Sequence, residues 1–131
     1  MIAIDTNVLV RFLTLDDAAQ AALAVGLIDT LTPQAPAFIS REVMIETVWV
    51  LERAYRFDRM TIAQALDAVL EAEELLVENP DRVGLALSRY RHGGPGFADQ
   101  MIALAGRDAG AATCYTFDRK AAAFPETTLL A

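Results

Sequence analysis

The fold is decided by the way the chain begins, because residues 2–13 read IAIDTNVLVRFL. A short apolar run over residues 2–4 stops at Asp5, which is typical of a buried strand. From Thr6 to Leu13 the sequence predicts a helix. In open parallel sheets ligands bind where strands end, so Asp5 is a candidate site residue.

The rest of the chain repeats this alternation of short strands and helices. Ser40 is a predicted helix N-cap, Gly110 a predicted helix end, and residues 92–96 a loop. We predict further strands at 37–39, 75–77, 112–117 and 128–130, and helices at 16–31, 41–55, from a capping Thr61 onward, 81–90, 97–108 and 118–124. The pattern predicts an α/β sandwich with a mainly parallel sheet, in a single domain over residues 1–131.

The composition excludes several classes of protein. The chain has 131 residues, of which 54% are hydrophobic, so it can bury a core and is not a disordered segment. No apolar stretch is long enough to cross a bilayer, and the first residues do not resemble a secretory signal. Cys114 is the only cysteine and has no partner for an internal disulfide. We therefore expect a cytoplasmic protein with no membrane role.

The net charge of −7 argues against nucleic-acid binding at first sight, because nucleic-acid sites are usually basic. A bound divalent cation would invert the local charge of an acidic pocket. Arginines could also form a local basic rim, although they could equally be solvated helix faces. These arginines are Arg41, Arg53, Arg56, Arg59, Arg89, Arg91 and Arg107.

Four acidic residues stand where strands end or where helices begin or pack: Asp5, Glu46, Asp99 and Asp118. Each also has a structural interpretation that stays open. Asp5 and Asp118 could be helix N-caps, and Asp99 could simply complement a helix dipole. Glu46 is spaced to share a helix face with Val43 and Val50, which predicts that it lies in or at the rim of the core.

Right-handed connections between parallel strands would bring the four acids to one edge of the sheet. A group of carboxylates is stable there mainly when it binds a hard divalent cation, and oxygen ligands suit Mg²⁺ or Mn²⁺. Zn²⁺ is a poor match, because the chain has one His and one Cys.

Four segments resemble the motifs of PIN-domain proteins of the VapC toxin type, in the same order and at similar separations. The first opens the chain as IDTNVLVR (4–11), and the second is SREVMIETVWVL (40–51). The third is FADQMI (97–102), and the fourth is TFDRKAA (116–122). In the second motif Glu42 competes with Glu46, and helical geometry favours Glu46.

The resemblance implies a PIN fold, with a parallel sheet of about five strands flanked by helices in three layers, and a homodimer. It implies an endoribonuclease that depends on Mg²⁺, or on Mn²⁺ as a substitute. It also implies that the protein is the toxin of a toxin–antitoxin pair, silenced by a small antitoxin.

In this interpretation Asp5, Glu46 and Asp99 are the principal metal ligands and Asp118 completes the set. Thr6, Asn7 and Thr116 are assigned to the second layer of contacts or to the RNA phosphate, although Asn7 could equally serve as a capping residue. Arg11 is a weaker candidate for the substrate path.

Other classes of protein fit less well. A metal-independent ribonuclease with two histidines is excluded, since His92 is the only histidine. A haloacid-dehalogenase-type phosphatase needs a second Asp at position 7, where this chain has Asn7. The alternative that remains is a non-catalytic interaction module of the same fold, with Phe12, Trp49 and Tyr55 lining a groove for a partner helix.

Overall fold

Helices and strands alternate along the chain, as the sequence predicts. A computed structural model describes residues 1–131 and divides them into two compact units, Met1–Pro80 and Asp81–Ala131. The first unit contains β1 (Ile2–Ala3), α1 (Thr6–Thr14), α2 (Ala18–Asp29), β2 (Ala37–Ile39), α3 (Arg41–Arg53), α4 (Arg59–Glu71) and β3 (Leu75–Val77). The second contains α5 (Pro80–Arg91), α6 (Phe97–Asp108), β4 (Cys114–Thr116), a 3₁₀ turn (Ala121–Ala123) and β5 (Thr127–Leu129). The boundary between the units falls after Pro80, the first residue of α5.

The first unit is built on a three-stranded parallel sheet in the order β1-β2-β3. Ala37 of the central strand is in register with Ile2 on one side and with Leu75 on the other. Ala37 and Ile39 are fully buried, so β2 lies in the core and β1 and β3 are the edges.

The first strand is more exposed than predicted. Ile2 is 42% exposed, and within residues 2–4 only Ile4 is buried. The prediction of a buried strand was therefore wrong for β1, whose two residues are both exposed, and only Ile4, which follows the strand, enters the core.

Short polar side chains set the helix starts in the first unit. Asp5, Asp17, Ser40 and Asp58 each accept a hydrogen bond from a backbone N–H in the first turn of the helix that follows. The predicted cap Ser40 is confirmed. The predicted cap Thr61 was wrong, because Asp58 accepts from the Thr61 N–H at 2.8 Å and α4 begins one residue after it.

The second unit has its own two-stranded parallel sheet, β4-β5, with Tyr115 in register with Thr128. The five expected parallel strands are present, but they form two hydrogen-bonded sheets instead of one. The stretch after Asp118 forms a single 3₁₀ turn where a short helix was predicted. Gly110, with φ 87°, follows α6 in the left-handed conformation expected at a helix end.

The core of the second unit is centred on an aromatic pair. Tyr90 is fully buried, and its ring packs edge-to-face on that of Phe97, with centroids 6.1 Å apart. This contact joins α5 to the start of α6 and holds the loop between them closed. No helix in the chain has both the length and the apolar character that a membrane span requires.

An ion pair ties the C-terminal segment of the second unit to α5. The Arg89 guanidinium donates to both carboxylate oxygens of Glu126, each at 2.9 Å, and Glu126 is only 11% exposed. This paired geometry holds the pKa of Glu126 below its ordinary value, despite burial, which acts in the opposite direction.

We predict that Glu126→Gln lowers the free energy of unfolding by about 1–2 kcal/mol at neutral pH, because Gln retains at most one of the two bonds without charge. Since the pKa of Glu126 is lowered on folding, its contribution is present above its ordinary value of 4.5 and is lost as pH falls below that value. Chemical denaturation of both proteins across this range should show the difference shrinking in acid. Glu73→Gln, at an exposed glutamate, is the matched control. A difference independent of pH would contradict the assignment.

Candidate functional site

Asp5 is placed by two elements, because it follows β1 and caps α1. Its Oδ1 accepts a hydrogen bond from the Val8 N–H at 3.1 Å, and the residue is exposed. The capping interpretation is therefore confirmed as a structural role. The capping hydrogen bond uses Oδ1 of Asp5 and leaves Oδ2 for a second role.

Glu46 does not lie on the core face of α3, as the sequence predicted. The buried residues of α3 are Met44, Thr47, Val48 and Leu51, and Glu46 is exposed. The buried face is rotated by about one residue from the predicted one, so Val43 and Val50 are only half-buried. Glu42 is exposed as well, and burial does not distinguish the two glutamates.

A contact with α1 does distinguish them. The Thr6 hydroxyl, itself buried, donates a hydrogen bond to Glu46 Oε1. This bond links the first turn of α1 to the middle of α3, and it brings Glu46 next to the residue that follows Asp5. The sequence singled out both residues but gave no sign that they touch, because they are 40 positions apart.

Arg11 lies one turn beyond this contact and is engaged by other side chains. Its guanidinium donates to Gln20 at 2.7 Å, to Tyr55 at 2.9 Å and to Asp16 at 3.1 Å. The Tyr55 hydroxyl in turn donates to Asp16, and this bond, more than the charge of Arg11, keeps the pKa of that carboxyl below its ordinary value. Arg11 therefore clamps α1 to the start of α2 and the end of α3.

A cavity of about 320 Å³ opens between α1 and α2 with Asp5 at its rim. Its lining is mostly apolar, and Leu23, one of the lining residues, is 75% exposed. Asn7, the exposed residue of the first turn of α1, also borders it. The remaining lining residues are Val8, Arg11, Gln20, Ala24 and Leu27. An apolar groove thus begins beside the candidate carboxylate.

In the second unit Asp99 lies in the first turn of α6. Gly96 occupies the N-cap position and provides no side-chain cap, so Asp99 is the acid that faces the partial positive charge of this helix end. Asp99 is half-buried, and the next residue, Gln100, is 1% exposed.

Asp118 follows β4 after one intervening residue, Phe117, and closes a turn. Its Oδ1 accepts from the Lys120 N–H at 2.9 Å, while its own N–H donates to Thr116 Oγ1 at 3.0 Å. Thr116 therefore supports the turn that presents Asp118, and Asp118 itself is exposed.

Thr47 Oγ1 and Gln100 Oε1 are among the buried polar atoms without a hydrogen-bond partner. Each belongs to the residue directly after a predicted acid, Glu46 or Asp99. Sequence reasoning missed both residues, although a polar residue at a core position is a recognisable signal.

Four of the seven arginines predicted to form a basic rim have contacts within the fold, three in ion pairs and one over an aromatic ring. Arg41 pairs with Glu78, Arg89 with Glu126 and Arg107 with Asp108. Arg53 lies over the ring of Trp49 at 5.5 Å. These contacts favour the interpretation that most of these arginines are structural.

The four predicted acids are thus divided between the units, with Asp5 and Glu46 in the first and Asp99 and Asp118 in the second. No three His, Cys, Asp or Glu side chains are grouped as a metal site. The donor chemistry nevertheless fits Mg²⁺ or Mn²⁺, because Asp5 and Glu46 are exposed oxygen donors joined through Thr6. The four-acid site stays a prediction.

No curated protein is significantly similar to this chain. The sequence model of one family, described as the PIN domain, matches residues 2–127 and so runs through both units. Proteins with this domain are commonly nucleases, which agrees with an acidic site at strand and helix ends. By this match over nearly its whole length, the chain belongs to the PIN domain family.

Proposed function

We propose that this nuclease is an endoribonuclease that depends on Mg²⁺ or Mn²⁺, and that it is a VapC-type toxin of a toxin–antitoxin pair acting in the cytoplasm. The observation that carries the proposal is the Thr6–Glu46 hydrogen bond beside Asp5. It fixes the relative position of two exposed acids in the first unit, as a ligand set for a divalent cation requires.

In the first unit, Asp5 Oδ2 and the carboxylate of Glu46 would hold the cation. Asp99 and Asp118 stay our predicted metal ligands in the second unit. A bound divalent cation would supply an activated water and stabilise the leaving oxygen of an RNA phosphodiester. Thr6 would act as a positioning residue, because its hydroxyl holds Glu46 Oε1 and orients the second oxygen. Asn7 and Thr116 border Asp5 and Asp118 and would contact phosphate or water.

The groove between α1 and α2 supports the proposal of an antitoxin. It is apolar, it exposes Leu23, and Asp5 lies at its rim. An amphipathic helix of a small partner would bury these leucines and cover Asp5 at the same time. This would silence the enzyme by blocking access to Asp5, one of its proposed metal ligands. We also propose that the chain forms a homodimer.

The second candidate is an interaction module without turnover, which the same exposed groove favours. The two candidate functions differ in whether they require acidic side chains. Partner binding through the groove depends on apolar side chains, whereas hydrolysis depends on carboxylates.

We predict that Asp5→Asn lowers RNA cleavage by more than about 100-fold without unfolding the protein. Asn is as good an N-cap as Asp, so the bond to Val8 is kept while the charge is lost. Purified, partner-free protein would be incubated with RNA in Mg²⁺, Mn²⁺ or EDTA, and the new ends sequenced. The products should carry 5′-phosphate and 3′-hydroxyl ends, since a water attacks instead of the 2′-hydroxyl.

The matched control is Asp17→Asn, the same substitution at the cap of α2, where the side chain accepts from Gln20. It should cleave at the wild-type rate, and Asp99→Asn should behave like Asp5→Asn. Wild-type activity in Asp5→Asn, or 2′,3′-cyclic phosphate ends, would refute the mechanism. Absence of metal-dependent cleavage in every condition would favour the interaction module.

We predict that Thr6→Val lowers activity about 10- to 100-fold and raises the Mn²⁺ concentration needed for half-maximal rate, because Glu46 loses its donor. Thr6→Ser keeps the hydroxyl and should restore both values. A purely structural role would lower thermal stability in Thr6→Val and leave the metal dependence unchanged. Metal titrations of cleavage, with thermal unfolding alongside, separate these results.

We predict that Leu23→Glu abolishes inhibition by the antitoxin and leaves RNA cleavage unchanged, because a charge in the apolar groove opposes docking. Cleavage would be measured with and without the product of the neighbouring gene. Met60→Glu, at an exposed apolar residue outside the groove, should still be inhibited. Equal inhibition of both variants would place the partner elsewhere.

A further inference from the structure

Two aromatic side chains of the second unit project into solvent directly before Asp118. Tyr115 is 64% exposed and Phe117 is 79% exposed, while Cys114 and Thr116 are half-buried. Phe117 is the first residue after β4, and exposure alternates over residues 114–117, so we infer that both rings face the same way, roughly 7 Å apart along the chain. The Leu130 N–H donates to the Thr116 carbonyl at 2.7 Å, which continues the ladder beyond the last paired residue.

Neither ring takes part in a ring–ring contact within the fold. The aromatic contacts of the protein join Tyr55 to Phe57 and Tyr90 to Phe97, and neither Tyr115 nor Phe117 takes part. A ring so exposed leaves a hydrophobic surface in water, which has an energetic cost and commonly marks a binding surface.

Two exposed cationic side chains that follow these rings in sequence, Arg119 and Lys120, favour an anionic ligand. Residues 81–131 carry six Arg and Lys against five Asp and Glu, a net charge of +1, whereas residues 1–80 carry five against thirteen, a net charge of −8. Arg82, Arg89 and Arg107 are neutralised in ion pairs. Arg119 and Lys120 follow Asp118, are exposed and form no ion pair.

We propose that Tyr115 and Phe117 are a stacking platform for the bases of single-stranded RNA, with Arg119 and Lys120 contacting its phosphates. Exposed aromatic rings on a strand stack unpaired bases, and cations beside them bind the backbone. Duplex RNA is excluded as the preferred ligand, because its bases are already stacked. The proposal rests on the proposed ribonuclease function, and what it adds is the surface that would hold the bases and phosphates of an unpaired segment.

The platform lies directly before Asp118, in the same continuous stretch of chain. A base stacked on Phe117 would therefore have its phosphate within reach of the turn formed by residues 118–120. Cleavage is then expected within loops or tails of RNA, with tolerance of base identity, since every base has a face that can stack.

The test is binding of a short single-stranded RNA labelled with 2-aminopurine, whose fluorescence changes on stacking, to the full chain in EDTA. Phe117→Leu and Tyr115→Leu should each weaken binding by roughly 5- to 150-fold and abolish the fluorescence change. Phe117→Tyr and Tyr115→Phe keep a ring and should bind like wild type, as should Met60→Leu in the first unit.

The cations give an independent readout. Arg119→Gln and Lys120→Gln should each reduce the slope of log affinity against log salt concentration by about 0.7, while the fluorescence change is retained. The leucine variants should leave this slope unchanged. The same RNA annealed to its complement should bind more weakly and should not distinguish leucine from aromatic variants.

Each result decides the proposal. Equal RNA binding by Phe117→Leu, Tyr115→Leu and wild type overturns the platform. If the same variants also lose self-association, measured by light scattering, the face is a contact between copies of the chain instead. Ring-dependent binding without cleavage in Mg²⁺ or Mn²⁺ supports the platform and refutes the ribonuclease. Cleavage by wild type with ring-independent binding refutes the platform alone.

Discussion

The parallel pairing of β2 with a strand on each side is the constraint on which the first unit depends. It places the residues that follow the three strands at one edge of the sheet, and these residues are polar: Asp5, Ser40 and Glu78. Asp5 and Ser40 start helices, and Glu78 accepts from the Arg41 N–H at 3.0 Å. Exposed oxygens at this edge are therefore a consequence of the topology, and Thr6 then joins Glu46 to them.

The strands and helices could largely be predicted from the sequence, because the spacing of apolar residues and the capping of helices are local properties. The bounds of β2, β3 and α6 agree with the prediction to the residue. Errors arose where a neighbour decides the outcome. The exposure of Ile2 depends on β1 being an edge, and the division of five strands into two sheets depends on pairing partners that local patterns do not specify.

The candidate site could be predicted as a set of residues but not as a set of contacts. Asp5 and Asp118 were recognisable by their positions after strands. Glu46 was chosen over Glu42 for burial, which was wrong, and its distinguishing feature is the bond from Thr6. Such a bond depends on the packing angle between two helices. The spacing of residues within each helix does not predict that angle.

The brevity of the strands has a consequence for self-association. Each strand has two or three residues, so an open edge offers another chain only two or three backbone groups to pair with. Long, flat edges are the ones that promote fibrils and sheet extension between copies. This chain therefore needs no charged residues or bulges to guard its edges, and its thermal aggregation should follow global unfolding instead of edge pairing in the native state. A homodimer would have to be held by side chains on helices or loops, with no sheet running across it.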